Sequence, residues 1–310
     1  MAQRFGKRKM KAPSYQGPDT CPDQPSNVIT SKDNRWLKLF RAALTGTGPG
    51  DGDLIGVEGT KLVEEALRSG LEAEALLLSV TGEREMEKIL LAASESEAGI
   101  SRDSILRTSD KMFRGVAGTE APQGVAALFR QPIWGFEDLL RGRADTRGAS
   151  RVEAPLVVAL AGIQDPGNVG TILRSAEAFG ATGAVTTRGT ADPWSPKALR
   201  ASAGSALRLP VLRGLAAPIL LAQLKMRQIR IIAATRQGQR VARMNAASSN
   251  HLRGPVALFI GNEGAGLPGE VEHAADATIT IPMSEAVESL NAAVAASLVL
   301  YEAARQRREA

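Results

Sequence analysis

Apolar residues recur along the chain in two patterns, short unbroken runs and longer stretches with helical spacing, and the two alternate. In "SKDNRWLKLFRAAL", Trp36, Leu37, Phe40 and Leu44 fall on one side, which predicts a helix capped by Ser31 or Asn34. The glycines and proline of "TGTGPGDGD" end it. The runs "LIGVEG", "AEALLLSV", Ile105-Leu106 and "QGVAALF" predict strands. Helices are expected over "TKLVEEALRSG", closed by Gly70, and near residues 84–92. These elements make a smaller α/β unit over residues 31–132. Residues 133–153, which include "RGRADTRGAS", are polar and predict a linker.

The alternation resumes over residues 154–310. "PLVVALAG", "GAVTT", "LRLPVL", "IRIIAAT", "PVALFIG" and "ATITIP" predict strands. Helices are expected from Asn168, from Ser195, over "APILLAQLKMRQ", and over residues 289–307. Short, fully apolar strands separated by helices mean a parallel sheet covered on both faces. The fold class is therefore α/β in both units, and two compact domains suit the 310-residue length.

Composition narrows the picture in a few places. Aromatics make up only 4% of the chain against 44% hydrophobic residues, so aliphatic and alanine packing must fill the cores. Thirty-eight Lys and Arg against 33 Asp and Glu give a net charge of +5, a modest pull toward a polyanionic partner such as nucleic acid. Cys21 is the only cysteine, which excludes an intramolecular disulfide and fits a reducing, cytoplasmic setting. His251 and His273 lie far apart and offer no metal-ligand spacing, so no metal is expected. No apolar run approaches a membrane span, so no membrane partner is expected. Residues 1–30 are basic, then rich in Pro and Gly, and lack the apolar stretch of a secretory signal; Asp19, Asp23 and the prolines weigh against a transit peptide. A disordered basic tail is expected there, with added affinity for phosphates as the sharper alternative.

Polar residues interrupt the apolar pattern at three strand ends. "LAGIQDPGNVGTILRSAEAFGA" places Asn168 and Arg174 on a helix after a strand. "LFIGNEGAGLP" sets Asn262 and Glu263 among Gly261, Gly264 and Gly266. "ITIPMSEAVESLNAAVAASLVLYEAARQR" passes from a strand through a loop to Ser289-Leu290-Asn291. Each has a plain structural reading: turn glycines, helix caps at Asn168, Ser289 or Asn291, and a solvated Arg174. Three such interruptions sharing the carboxyl edge of one parallel sheet, where open α/β sheets bind ligands, favour a binding site. Phosphate-binding fingerprints are missing: there is no G-x-G-x-x-G, no Walker lysine and no G-x-S-x-G elbow.

These three stretches resemble motifs one, two and three of the SpoU (TrmH-type) RNA 2′-O-ribose methyltransferases of the SPOUT superfamily. "SPKALRASAGSALRLPV" between the first two is also similar to the family pattern. The likeness covers roughly residue 155 to the end. Through "VEGTKLVEEAL" and "PQGVAALF", the first unit resembles the L30e-like substrate-binding domain of several members. The resemblance implies a carboxyl-terminal segment threaded into a deep trefoil knot, a topology that no periodicity argument would propose. It implies that S-adenosylmethionine binds through Gly261, Ile281 and Leu290. It also implies a homodimer with the knot at its interface, where Ala292, Ala293, Ala295 and Ala296 of the last helix would permit close approach; burial within one subunit explains those alanines as well.

For the chemistry, the resemblance implies Arg174 as general base, oriented by Asn168, with Glu263, Ser289 and Asn291 completing the site. A guanidinium ordinarily stays protonated, so two roles stand for Arg174. It is a transient base, or it is a fixed cation that clamps the neighbouring phosphate and favours the developing alkoxide while Glu263 accepts the proton. Arg188, Lys197, Arg200 and Arg208 can follow an RNA backbone, with ordinary solvated surface as the alternative. The two-domain layout resembles enzymes that act on a guanosine of 23S ribosomal RNA, and the resemblance implies that target. The alternatives are tRNA, an inactive RNA-binding module of the same fold, methylation of a base nitrogen, and a nucleotide-dependent dehydrogenase. The proline-rich tail and the "TGTGPGDGD" insert depart from the family pattern without touching the chemical motifs.

Overall fold

Two separate sheets organise the chain in a computed structural model that describes residues 27–46, 54–96, 100–141, 154–240, 252–284 and 286–308, with the side chains of 236–240 excepted. The insert at residues 47–53 and the tail before residue 27 lie outside the described residues.

The first sheet is mixed. Its elements are α1 (Arg35–Thr45), β1 (Leu54–Glu58), α2 (Thr60–Arg68), β2 (Ala73–Ser79), α3 (Met86–Ser94), β3 (Ile105–Thr108), α4 (Asp110–Arg114) and β4 (Val125–Arg130). The strand order is β1-β4-β2-β3, with β4 antiparallel to both neighbours and β2 parallel to β3. In α1 the predicted stripe is buried at Leu37, Phe40 and Leu44, while Trp36 stays half-exposed beneath the Arg35 guanidinium. Asn34 is the cap: its Oδ1 accepts the Trp36 N–H at 2.8 Å, a contact of about 1 kcal/mol. Ser31 instead accepts from Asp33. Part of the stretch expected as tail joins this unit, because Val28 bridges to Arg107 and Ile29 is buried.

The second sheet is parallel throughout. It comprises β5 (Leu156–Ala161), α5 (Pro166–Ala178), β6 (Gly183–Thr187), α6 (Pro196–Ser202), α7 (Ser205–Arg208), β7 (Val211–Leu215), α8 (Ala217–Met226), β8 (Arg230–Arg240), β9 (Val256–Gly261), α9 (Gly269–Ala274), β10 (Ala277–Thr280) and α10 (Ala292–Arg308). The order β10-β8-β9-β5-β6-β7 places β5 beside β9, so the chain reverses its direction of travel across the sheet between those two. Every residue of β5 is buried. Val158 and Leu160 pack on one face with α5 and α10, and Val157, Ala159 and Ala161 on the other with α8 and α9. Full burial of one such aliphatic side chain stabilises by roughly 1.5–3 kcal/mol, which explains the unbroken apolar run.

Several boundaries differ from expectation. The helix expected from Asn168 starts at Pro166, because Asp165 caps it through the Gly167 N–H at 2.7 Å and proline needs no partner at a first helical position. The helix expected from Ser289 starts at Ala292, leaving Ser289 in an exposed loop. Leu207 and Arg208, expected in a strand, close the short helix α7 instead. Within the expected linker, Phe136–Leu140 forms a 3-10 turn whose Leu139 is buried against the second sheet. α5 lies directly on α6 at Gly170, where a Cβ would come within 2.2 Å of the Ala198 carbonyl oxygen.

Candidate active site

The carboxyl ends of β5 and β9 meet at the point where strand order reverses, the crevice in which open parallel sheets take ligands. The two ends are tied together by Asn262. Its Nδ2 donates to the Gly162 carbonyl at 3.0 Å, and its Oδ1 accepts the N–H groups of Gly264 and Ala265 at 2.8 and 2.9 Å. Asn262 and Gly266 also exchange backbone hydrogen bonds of 3.0 and 2.9 Å. The result is a closed turn over 261–267 whose backbone, rather than its side chains, forms a wall. Gly261 permits the closure: a Cβ there would lie 2.5 Å from Gly266 backbone atoms.

Behind this turn lies a pocket of about 550 Å³, large enough for a nucleoside-sized ligand. Gly261, Glu263, Ile281, Ser289 and Leu290 line it, together with Ala234 and Thr235 from β8, Leu267 and Met283. Asn168, Asn291 and Arg174 do not line it. Asn168 and Asn291 reach its rim through a relay of amides. The N–H groups of Ala293 and Val294 bind Asn291 Oδ1 at 2.9 and 3.3 Å, which fixes that amide with Nδ2 outward. Nδ2 donates to Asn168 Oδ1 at 3.1 Å, and the Asn168 Nδ2 donates to Glu263 Oε1. The three polar interruptions of the sequence are thus one connected chain. Asn291 is both the cap of α10 and a member of that chain.

Arg174 stands apart from the relay. It is exposed on α5 and has no hydrogen-bonded or ion-paired partner among the described residues. Asn168 bonds Glu263 and Asn291, and among the described residues its amide makes no hydrogen bond to Arg174. Of the other basic positions, Arg188 and Arg200 are exposed, Lys197 is paired with Asp165, and Arg208 is committed to Glu65 and Glu177. Among the described residues there is no group of three or more His, Cys, Asp and Glu able to hold a metal ion, and no helix long and apolar enough to cross a membrane.

Two residues noted in the sequence only as parts of polar turns hold the site's framework together. Asn262 fits the Asx-turn habit of asparagine in a glycine-flanked turn, a signal visible in "GNEGAG". Asp165 was hidden in a Pro-Gly turn. Its carboxyl is held below the usual carboxylate range, first by the Lys197 ammonium at 2.7 Å and then by the Gly167 N–H. A depressed folded-state pKa gives stability that is present above the unfolded value of 3.8 and lost as pH falls through the lower folded value. In acid titrations followed by circular dichroism, Asp165→Asn should lack this component below about pH 4 and match the parent's pH dependence above about pH 5.

Comparison with known proteins places these strand ends in a family. Residues 155–301 match the SpoU rRNA Methylase family, and residues 53–127 match the MRM3-like substrate binding domain. The chain is 34% identical over 255 residues to an uncharacterized tRNA/rRNA methyltransferase of Mycobacterium avium (strain 104), covering 81% of this chain and 77% of that protein. It is 32% identical over 246 residues to the 23S rRNA (guanosine(2553)-2′-O)-methyltransferase RlmP of Bacillus subtilis (strain 168), covering 79% and 86%. The AdoMet-bound rRNA methyltransferase from Sinorhizobium meliloti superposes with a TM-score of 0.73 at 28% identity, over 90% of this chain and 97% of that one. The amide relay and the pocket both fall within the matched carboxyl-terminal region, and at this identity over most of both chains the protein belongs to the SpoU family of S-adenosylmethionine-dependent RNA 2′-O-methyltransferases.

Proposed function

We propose that the enzyme methylates the ribose 2′-hydroxyl of a guanosine in 23S ribosomal RNA, working in the cytoplasm as a homodimer. The observation that carries the site assignment is the relay from Asn291 through Asn168 to Glu263 at the mouth of the pocket. The pocket suits S-adenosylmethionine: backbone groups of 261–267 can meet its polar edges, and Ile281, Leu290 and Leu267 offer apolar surface to its adenosine. When bound, that molecule supplies an electrophilic methyl group on a sulfonium. The chain's own residues then have two tasks, holding the ribose and taking its proton.

Glu263 is suited to accept that proton, because the Asn168 amide holds one of its oxygens and so fixes the carboxylate's orientation. Arg174, exposed and unpartnered among the described residues, is suited to bind the phosphate next to the reacting ribose and to favour the alkoxide as it forms. Ser289, on the exposed loop at the pocket's edge, is placed to hydrogen-bond the sugar. The Bacillus subtilis relative's activity on 23S rRNA and the substrate-binding domain match support this target.

Dimerisation is supported by α10, but through different residues from those the sequence suggested. Ala292, Ala293 and Ala296 are buried within the subunit. Val294, Leu298 and Tyr301, spaced for one helix face, are exposed, and Phe179 packs edge-to-face on Tyr301 at 5.8 Å. The threaded carboxyl-terminal segment is part of the same reading, since α10 returns to pack on α5 beyond β10.

Ribose-methylation mapping of total RNA from cells with and without the protein tests the proposal. One guanosine of 23S rRNA should lose its 2′-O-methyl group in the deletion and regain it on complementation. A lost mark confined to tRNA would reassign the substrate, and an unchanged map would remove the enzymatic reading of this chain.

A further inference from the structure

A second cavity, of about 360 Å³, opens where the two domains meet and shares no lining residue with the donor pocket. One wall comes from α2 and the segment before β4, the other from the end of α6. Four charged residues line it, and they are not equivalent. Glu58 accepts the Gly118 N–H at 2.7 Å and the Thr119 hydroxyl. Glu65 receives Arg208 Nη1 at 2.5 Å, and the same guanidinium binds Glu177 of α5 through Nε and Nη2, each at 2.8 Å. Glu65 thus shares one cation with Glu177, whereas Glu58 is held by neutral donors and keeps its negative charge. Lys61 and Arg200, one from each domain, are exposed and have no hydrogen-bonded or ion-paired partner among the described residues. The cleft therefore offers two unpaired cations beside the hydrogen-bonded Glu58 carboxylate, and Leu62 and Ala121 supply apolar surface.

Further basic residues flank the cleft on both sides, each ion-paired with a carboxylate. Lys61 and Gln123 also line an adjoining groove in which Arg84 and Lys88 both pair with Glu85 and Glu64 adds a second carboxylate. On the other side, Lys197 sits one turn before Arg200 on α6 and bonds Asp165 at the start of α5. A polyanion lying across the cleft would thus run from the substrate-binding domain toward the helix that carries Asn168 and Arg174. The volume, the two unpaired cations and the apolar lining suit one nucleotide, since single-stranded RNA is recognised by clamping its backbone and docking an unstacked base.

We propose that the interdomain cleft binds one nucleotide of the substrate RNA, remote from the methylated ribose, with its phosphodiester between Lys61 and Arg200 and its base against Leu62 and Ala121. This rests on the RNA methyltransferase reading above. Because the two cations belong to different domains, the Arg208 bridge to Glu65 and Glu177 sets their separation, which makes Arg208 a positioning residue for this contact.

The test uses the full chain and ribosomal RNA purified from cells lacking the protein. Binding is followed across a salt titration, S-adenosylmethionine affinity by calorimetry, and ribose methylation by mapping. Lys61→Ala with Arg200→Ala should weaken RNA binding about tenfold or more and lower the slope of log affinity against log salt by about one. Ala121→Trp, which fills the cleft and leaves its charges, should weaken binding with the slope intact. Lys61→Arg with Arg200→Lys should recover most of the affinity, and donor affinity should stay within about twofold throughout. Parental RNA affinity and slope in both the double-alanine and Ala121→Trp proteins would overturn the proposal while leaving the methyltransferase reading in place. Wild-type protein that binds and methylates none of this RNA would remove both. Thermal stabilisation by inorganic pyrophosphate that needs Lys61 and Arg200, with RNA affinity indifferent to them, would instead make the cleft a free-phosphate site and overturn the RNA assignment.

Discussion

Replacing Arg174 by alanine is expected to lower ribose methylation at saturating RNA by about a thousandfold, the scale of losing one preorganised electrostatic partner of a developing oxyanion. S-adenosylmethionine affinity should be unchanged, because Arg174 does not line the pocket. The residue is exposed on α5, and nothing among the described residues neutralises it. A cation left free beside a site for a polyanion is suited to holding a phosphate.

The two roles separate on substitution. If Arg174 clamps the phosphate and Glu263 takes the proton, Arg174→Lys keeps the charge, loses the planar fork, and retains a fraction of the rate without moving the pH–rate profile. Glu263→Gln then removes the limb of the profile that reports the base. If Arg174 is the base, Glu263→Gln keeps that limb and Arg174→Lys shifts it to lower pH, as an amine titrates below a guanidinium. Full activity in Arg174→Ala would eliminate both roles. The relay supports the clamp, since Asn168 bonds Glu263 and Asn291 and not Arg174, so the amide orients the carboxylate.

The strands were legible because each central strand is buried on both faces, and two-sided burial is what makes an unbroken apolar run favourable. Helix ends were less so. Asp165-Pro166-Gly167 has the composition of a turn, and only the hydrogen bond from Gly167 N–H to the Asp165 carboxylate turns it into a cap. The short helices α4, α7 and α9 hold too few residues to show a period. Strand order was not legible from pattern at all. That β10 lies beside β8 and β9 beside β5 depends on pairings between distant segments that leave no local mark. The relay has the same character, because Asn168 meets Glu263 across 95 positions and Asn291 across 123. Polar residues at three strand ends announced a site, and the resemblance grouped them, but neither gave the direction of the amides. The alanines of α10 were ambiguous for a physical reason: small residues permit close approach whether the neighbour is the same subunit or another, and here burial within the subunit accounts for three of them.

The second large effect concerns Gly261. An alanine Cβ at this position would sit 2.5 Å from the carbonyl carbon and oxygen of Gly266 and 2.7 Å from the Leu267 nitrogen. These are backbone atoms, so no rotamer change relieves the contact, and the 261–267 turn must open. Opening it breaks the paired hydrogen bonds between Asn262 and Gly266 and shifts Glu263 and the backbone wall of the pocket together. Gly261→Ala should therefore weaken S-adenosylmethionine binding by about a hundredfold in calorimetry, alongside an overpacking cost of about 1–3 kcal/mol in chemical denaturation. The two measurements are separable, since a folded fraction near unity at the titration temperature leaves the affinity loss as a local effect. Gly269→Ala gives the comparison: a Cβ there meets nothing within 4 Å and the residue lies outside the pocket, so donor binding should match wild type. Wild-type donor affinity in folded Gly261→Ala would mean that the donor does not rest on this turn, and the roles given to Glu263 and its amide relay would lose their anchor.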